Sequence, residues 1–313
     1  MATSTRAADR PVAHTRRTPR LLRGVRREHL LGWLFVVPAL AFYAMFVLQP
    51  LALSFQYSFY DWNGTGVATW VGLENYVKVF TDDDLLNSIF NAFKRIIFFS
   101  FIPVTLGLVT ASFIRGAVRG RFGTVSRTVL FLPQIIPLVA AGIMWNWVLA
   151  KSGTVNQLLS AVGLGGITRA WLGDFDWALV AVGFIGIWVL LGLTTLLLLA
   201  GVSKIDPALY EAARIDGASA FQEFRTITVP GVRNELAVAL TVTIILALSA
   251  FDVIYISTNG GPGFATLVPG LKIYILAFVS RDVGTASALA IVLMLLVLVT
   301  ILPIQRLVRE SDS

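Results

Sequence analysis

Cysteine is absent from this chain of 313 residues, which excludes disulfides and thiolate metal sites. Histidine is almost absent too. His14 and His29 both precede most of the first long apolar run, so the hydrophobic body offers no histidine for a metal centre or a catalytic triad. Charge is scarce as well, at 14% of residues against about a quarter in soluble domains. What fills the chain is apolar: 56% of residues are hydrophobic, and the mean hydropathy is +0.77. The formal net charge of +7 does not read as a nucleic-acid footprint, because the basic residues lie at the ends of apolar segments and are not interleaved with aromatics. The class is an all-α polytopic membrane protein, with the lipid bilayer and no nucleic acid as partner.

A spanning helix needs roughly 20 apolar residues, each advancing about 1.5 Å through a core of about 30 Å. Six stretches qualify, at residues 30–55, 92–114, 125–149, 177–202, 236–257 and 283–307. They are continuous and rich in leucine, without the alternation of a lipid-facing strand. Basic residues choose the orientation. Arg6, Arg10, Arg16, Arg17, Arg20, Arg23, Arg26 and Arg27 precede the first run, and Arg115, Arg119, Arg121 and Arg127 follow the second. Lys204, Arg214, Arg225 and Arg233 follow the fourth, and Arg306 and Arg309 close the chain. The opposite loops hold Lys78, Lys151, Arg169, Lys272 and Arg281, with Lys94 and Arg95 at a helix end. The positive-inside bias therefore places both termini in the cytoplasm.

The expected organisation is a basic, disordered cytoplasmic tail over 1–29, a six-helix domain over 30–307 and a short cytoplasmic tail over 308–313. Ala39-Leu40-Ala41 resembles a signal-peptide cleavage site, but the apolar run continues through Phe46, Val47 and Leu48, so the first span is expected to stay uncleaved. Proline and glycine are frequent within the runs, at Pro38, Pro103, Pro133, Pro137, Gly142, Gly183, Gly186 and Gly192. Two readings stand for them: close helix packing, or, for Pro133 and Pro137, a bend beside a translocation path.

The cytoplasmic loop 203–232 is unusually punctuated. Asp206 is a good N-cap with Pro207 at the first helical position, and Gly217 interrupts. Ser219 to Gln222 has the form of a capping box that starts a second short helix, which Val229-Pro230 is expected to close. Helices this short are marginal in water and need a packing surface. That surface is either this protein's own bundle, the headgroups, or a partner that approaches over Ala212, Ala213, Gly217 and Ala218 and grips Glu211, Arg214 and Asp216.

Here a resemblance enters. Glu211-Ala-Ala, Gly217, Ile227 and Pro230, at their spacing, resemble the EAA motif of ATP-binding cassette (ABC) importer permeases, with Val229 where many members have leucine. The wider run IDPALYEAARIDGASAFQEFRTITVP is similar to the carbohydrate-uptake branch, the maltose and glycerol-phosphate permeases. FVVPAL at 35–40, VGLENY at 71–76 and FDVIYISTNGGPGFAT at 251–266 extend it. The resemblance implies a type I ABC importer permease fold in the bacterial inner membrane. It implies coupling helices in which Tyr210, Glu211, Ala212, Ala213, Asp216, Gly217, Ala218 and Pro230 dock on a separate ATPase. The chain has no G-x-x-x-x-G-K-[ST] loop. ATP and Mg are thus expected on the partner, with no cofactor, metal or catalytic residue here. The implied partners are a second, distinct permease, two ATPase subunits and an extracytoplasmic solute-binding protein, which the turn-rich segments near residues 71–76 and 259–262 would meet.

Sugars bind through hydroxyl hydrogen bonds and by stacking ring faces on aromatics. The candidates within spans are Trp145, Asn146, Trp188, Thr243, Phe251, Asp252 and Tyr255. The family's substrate site on its fourth and fifth core helices favours Trp188, Thr243 and Phe251. Trp145 and Trp147 equally fit an interfacial belt, Asp252 a headgroup position, and Phe251 with Tyr255 simple packing. Rival functions are import of a polyamine or phosphate through the same loop architecture, and ion-coupled secondary transport, which asks for ionisable residues deep in several spans.

Overall fold

The computed structural model describes residues 21–117 and 121–310. The expected tail up to residue 20, Arg119 and residues 311–313 lie outside the described residues. The chain divides into two compact units, Met1–Leu53 and Ser54–Ser313, where a boundary near residue 30 was expected. In the first unit, the helix Leu21–Tyr43 starts well before residue 30, since its leucines and arginines are good helix formers. Residues 21–29 are therefore helical, against the expectation of a disordered tail.

Among the described residues, four helices are long and apolar enough to span a membrane: Gly32–Tyr57, Asp83–Arg115, Ala178–Val202 and Val283–Arg306. Counting each of two bent helix pairs as one span brings the total to the six expected. The second span begins at Asp83 and not at residue 92, because Asp82 caps the helix by accepting from the Leu85 N–H at 3.0 Å. The third is not continuous. Thr128–Ile135 and Leu138–Val148 meet at 102°, with Pro137 extended at the break, while Pro133 stays inside its helix. The fifth also differs from expectation: its helix, Arg233–Ser249, ends eight residues short of 257. Ala250 is extended, and Asp252–Ser257 is a separate short helix. A further apolar helix, Pro269–Ser280, lies between the fifth and sixth spans.

Prolines explain a second irregularity. The π-helical turns Ala44–Leu48, Ile97–Phe101 and Phe224–Thr228 each end two residues before a proline, at Pro50, Pro103 and Pro230. A proline ring collides with the carbonyl four residues back and offers that carbonyl no N–H; a widened turn makes room for it. Pro230 therefore does not close the second loop helix. The chain continues helically through Val229–Gly231 and bends by 73° only at Val232.

Ala178–Val202 is the central helix of the second unit. It buries residues on every face, from Val182 and Ile185 to Leu198 and Val202. Such a helix needs neighbours that come close, and its glycines provide for that. A Cβ on Gly186 would collide with the Phe99 ring, and one on Gly192 with the Leu130 carbonyl. The Thr194 hydroxyl donates to the Pro103 carbonyl at 2.8 Å, which fastens the second span to the fourth. At the outer end, buried Asn75 donates to the Ser58 and Tyr60 carbonyls at 3.0 and 2.9 Å, and Thr285 donates to its Oδ1 at 3.3 Å. Asn75 thus joins the short hairpin of Tyr60–Asp61 and Thr69–Trp70 to the start of the last span.

Candidate functional site

The cytoplasmic loop folds as two capped helices. Asp206 accepts from the Ala208 N–H at 2.9 Å and opens Pro207–Ile215. Gly217, at φ +80°, closes it: the Gly217 N–H donates to the Arg214 carbonyl at 3.1 Å and the Ala218 N–H to the Ala213 carbonyl at 2.9 Å. This pair of bonds is a Schellman cap, and it requires the left-handed backbone that glycine adopts without strain. Ser219 and Gln222 complete the capping box at the start of Ala220–Glu223.

The loop has an inner and an outer side. Tyr210 turns inward, 6% exposed, and its hydroxyl shares a hydrogen bond of 2.9 Å with Thr228. The Arg115 guanidinium, at the end of the second span, lies 3.6 Å from the Tyr210 ring centroid. Tyr210 is therefore an anchor to the bundle, contrary to its expected place on the docking face. Arg214 donates to Glu223 at 2.9 Å, and this carboxylate raises the guanidinium above its ordinary pKa, first through the hydrogen bond and then through its charge. Beneath the loop, a cavity of about 560 Å³ is lined by Arg115, Tyr210, Arg214, Phe221, Glu223 and Thr228, among others. On the outer side Glu211, Ala212, Asp216, Gly217 and Pro230 are exposed, while Ala213 and Ala218 are half-buried. Ile215 and Phe221, absent from the sequence-based list, expose 86% and 70% of their surface. Their positions beside the glycine cap were the available signal.

Within the spans, the candidate residues separate. Trp145 and Trp188 come together, ring centroids 5.6 Å apart, with Phe184 5.1 Å from Trp145. The Trp145 indole N–H is buried and, among the described residues, has no acceptor. Asn146 donates to the Ile256 carbonyl at 2.9 Å and so holds the helix that follows the fifth-span break. Phe251 and Tyr255 stack at 5.1 Å, and Tyr274 lies 5.5 Å from both. Tyr274 in turn meets Phe278 at 5.4 Å. Tyr274, Phe278 and Phe184 were missed; the four-residue spacing of Tyr274 and Phe278 was the sequence signal for two of them. Asp252 is exposed in the first turn of Asp252–Ser257. Thr243 does not belong to the group. It is fully buried, shares a hydrogen bond of 2.7 Å with Ser100 and donates to the Ala239 carbonyl at 2.7 Å, so it is committed to helix packing.

Arg95, which the sequence placed at a helix end, is fully buried beside the fifth-span break. Its Nε donates to the Ala247 carbonyl at 3.1 Å and its Nη2 to the same oxygen, while Nη1 has no partner among the described residues. The guanidinium carbon lies 5.3 Å from the Phe99 ring centroid. No group of three or more metal-ligating side chains occurs among the described residues.

Residues 103–309 match the family described as binding-protein-dependent transport system inner membrane component. The diacetylchitobiose uptake system permease protein NgcF of Streptomyces coelicolor is 33% identical, the match covering 85% of this chain and 78% of that protein. The trehalose/maltose transport system permease protein MalF of Thermococcus litoralis is 36% identical, over 87% of this chain and 91% of the relative. A chain in the crystal structure of a bacterial ABC transporter that imports the acidic polysaccharide alginate superposes with a TM-score of 0.80. That likeness covers 94% of this chain and all of the other, at 23% identity, and shows the fold.

Proposed function

We propose, from the premise that this chain belongs to the family of binding-protein-dependent transport system inner membrane components, that it is a carbohydrate-importing permease subunit. In this reading it forms half of a translocation path, pairs with a second permease and receives substrate from an extracytoplasmic binding protein. Two copies of a separate ATPase bind ATP and Mg and supply the power stroke. The single observation that carries the coupling assignment is the two-sided loop. On its inner side Tyr210 bonds Thr228 within the loop and lies under Arg115 of the second span, which ties the loop to the bundle. Away from that anchor Glu211, Ala212, Gly217 and the large apolar side chain of Ile215 are exposed, and Leu209 and Phe221, the latter at the rim of the cavity, add further exposed apolar surface. A rigid, capped helix pair anchored on one side transmits a partner's displacement to the spans as rigid-body motion.

The substrate class is supported by the relatives, which include uptake permeases named for diacetylchitobiose and for trehalose and maltose. Two aromatic clusters suit sugar ring faces. In this reading Trp145, Trp188, Phe251 and Tyr255 line the path, and Asn146 shapes it. The test is co-purification of the chain with its partner permease and ATPase. ATPase stimulation is then measured across maltose, trehalose, lactose, diacetylchitobiose, a polyamine and phosphate with the binding protein present. Stimulation by a sugar is expected; stimulation by a polyamine or phosphate alone would replace the carbohydrate assignment.

A further inference from the structure

A second polar and aromatic site lies at the outer end of the chain, apart from the span-internal clusters. On the helix Asp83–Ile96, residues Asp84, Asn87, Asn91 and Lys94 recur at intervals of three and four and therefore share one face. This face borders a cleft of about 440 Å³, closed on its other sides by Phe175, Asp176 and Phe264. Phe175 and Phe264 leave 69% and 50% of their surface exposed. Neither ring is there by default. Phe264 sits at φ +66°, a left-handed conformation that is rare for a bulky side chain. The loop is held in that shape by buried Asn91, whose Nδ2 donates to the Phe264 and Leu267 carbonyls at 3.2 and 3.1 Å. Lys272, ion-paired with Asp84 at 3.3 Å, places its Nζ 5.7 Å from the Phe264 ring centroid. Phe175 lies so close to Gly263 that a Cβ there would be 2.6 Å from its ring.

A strained backbone that displays one phenyl ring beside a second, at the rim of a polar cleft, is arranged to receive something. The lining selects its chemistry. Phenyl faces accept the C–H face of a pyranose ring, while the carboxylates of Asp84 and Asp176, the Asn87 amide and the Lys94 ammonium supply acceptors and donors for hydroxyls. A buried apolar ligand would cover the Asp176 carboxylate, the Lys94 ammonium and the Asn87 amide without offering them a partner. We propose that this cleft is an outer carbohydrate-binding subsite, distinct from the aromatic clusters within the spans. The assignment rests on the carbohydrate reading above.

The test uses the assembled importer in nanodiscs, without the binding protein, and a Phe264→Trp variant whose indole reports on the cleft. Maltose, trehalose, lactose and diacetylchitobiose are titrated in turn. The sugar that the wild-type importer takes up is expected to give a saturable fluorescence change, and a further Asn87→Ala change is expected to weaken that binding about tenfold. Should Phe264→Trp fail to assemble, Phe175→Trp serves as the reporter with the same expectation. A flat signal with the transported sugar, or a signal produced only by adding the binding protein, overturns the subsite and leaves the carbohydrate reading standing. If the wild-type importer takes up a polyamine or phosphate and no sugar, the carbohydrate reading fails and the subsite falls with it.

Discussion

The Arg95 guanidinium grips the Ala247 carbonyl from two of its nitrogens, Nε at 3.1 Å and Nη2. In an unbroken helix that carbonyl would accept the N–H of residue 251, but the chain turns extended at Ala250. Arg95 thus supplies the donors that the break withdraws, at the negative end of the helix dipole. Burying a guanidinium is costly, so its position sets where the fifth helix can stop.

Arg95→Met is expected to leave Ala247 without a partner and to destabilise the fold by about 1–3 kcal/mol, with loss of uptake. Arg95→Lys is expected not to restore transport, because an ammonium lacks the planar fork. Thermal unfolding in detergent and uptake in vesicles check both. Wild-type behaviour of Arg95→Met in both assays would show that the break holds itself.

Gly217→Ala places a Cβ in a left-handed position, at a cost of about 1–2 kcal/mol. The Schellman cap should loosen and sugar-stimulated ATPase activity fall several-fold, while Glu211→Lys should abolish ATPase co-purification. Full stimulation and intact assembly in both variants would remove the docking assignment.

Tyr210→Phe deletes one hydroxyl, the partner of Thr228. It is expected to cost about 0.5–1.5 kcal/mol and to lower the ratio of sugar transported to ATP hydrolysed. An unchanged ratio would mean that the inner anchor plays no part in coupling.

Pro230→Ala removes the ring that forces the π turn Phe224–Thr228. Relaxation to an ordinary helix would shift the register by one residue and rotate the segment ahead of it by about 100°. Since the chain has no cysteine, a single Phe221→Cys provides a clean maleimide target. Labelling in the assembled importer is expected to change with Pro230→Ala; an identical rate would show that the turn persists without its proline.

Gly192→Leu should clash with the Leu130 carbonyl and prevent correct packing of the central helix. Severe loss of folded protein in size-exclusion profiles is the expected outcome, and a normal profile would contradict the close approach.

Much of this was legible beforehand. Asp206, Pro207, Gly217 and the Ser219–Gln222 box act on backbone groups within a few residues, so short-range chemistry alone located both loop helices. Pro230 misled because the usual rule assumes an α-turn, and a π turn absorbs the ring. Thr243 misled because a hydroxyl in a span looks alike whether it faces a path or a neighbouring Ser100.

The chain itself determined the class, the six apolar runs, the charge bias that predicts their orientation and the capped loop, since hydropathy, charge and capping are local properties that lipid and water read segment by segment. The fold alone decided which of the two readings of Pro137 holds, where the fifth helix breaks, that Arg95 is buried, and which aromatics meet. Those depend on side chains far apart in sequence, such as Arg95 and Ala247, satisfying one another inside a core where no water can take their place.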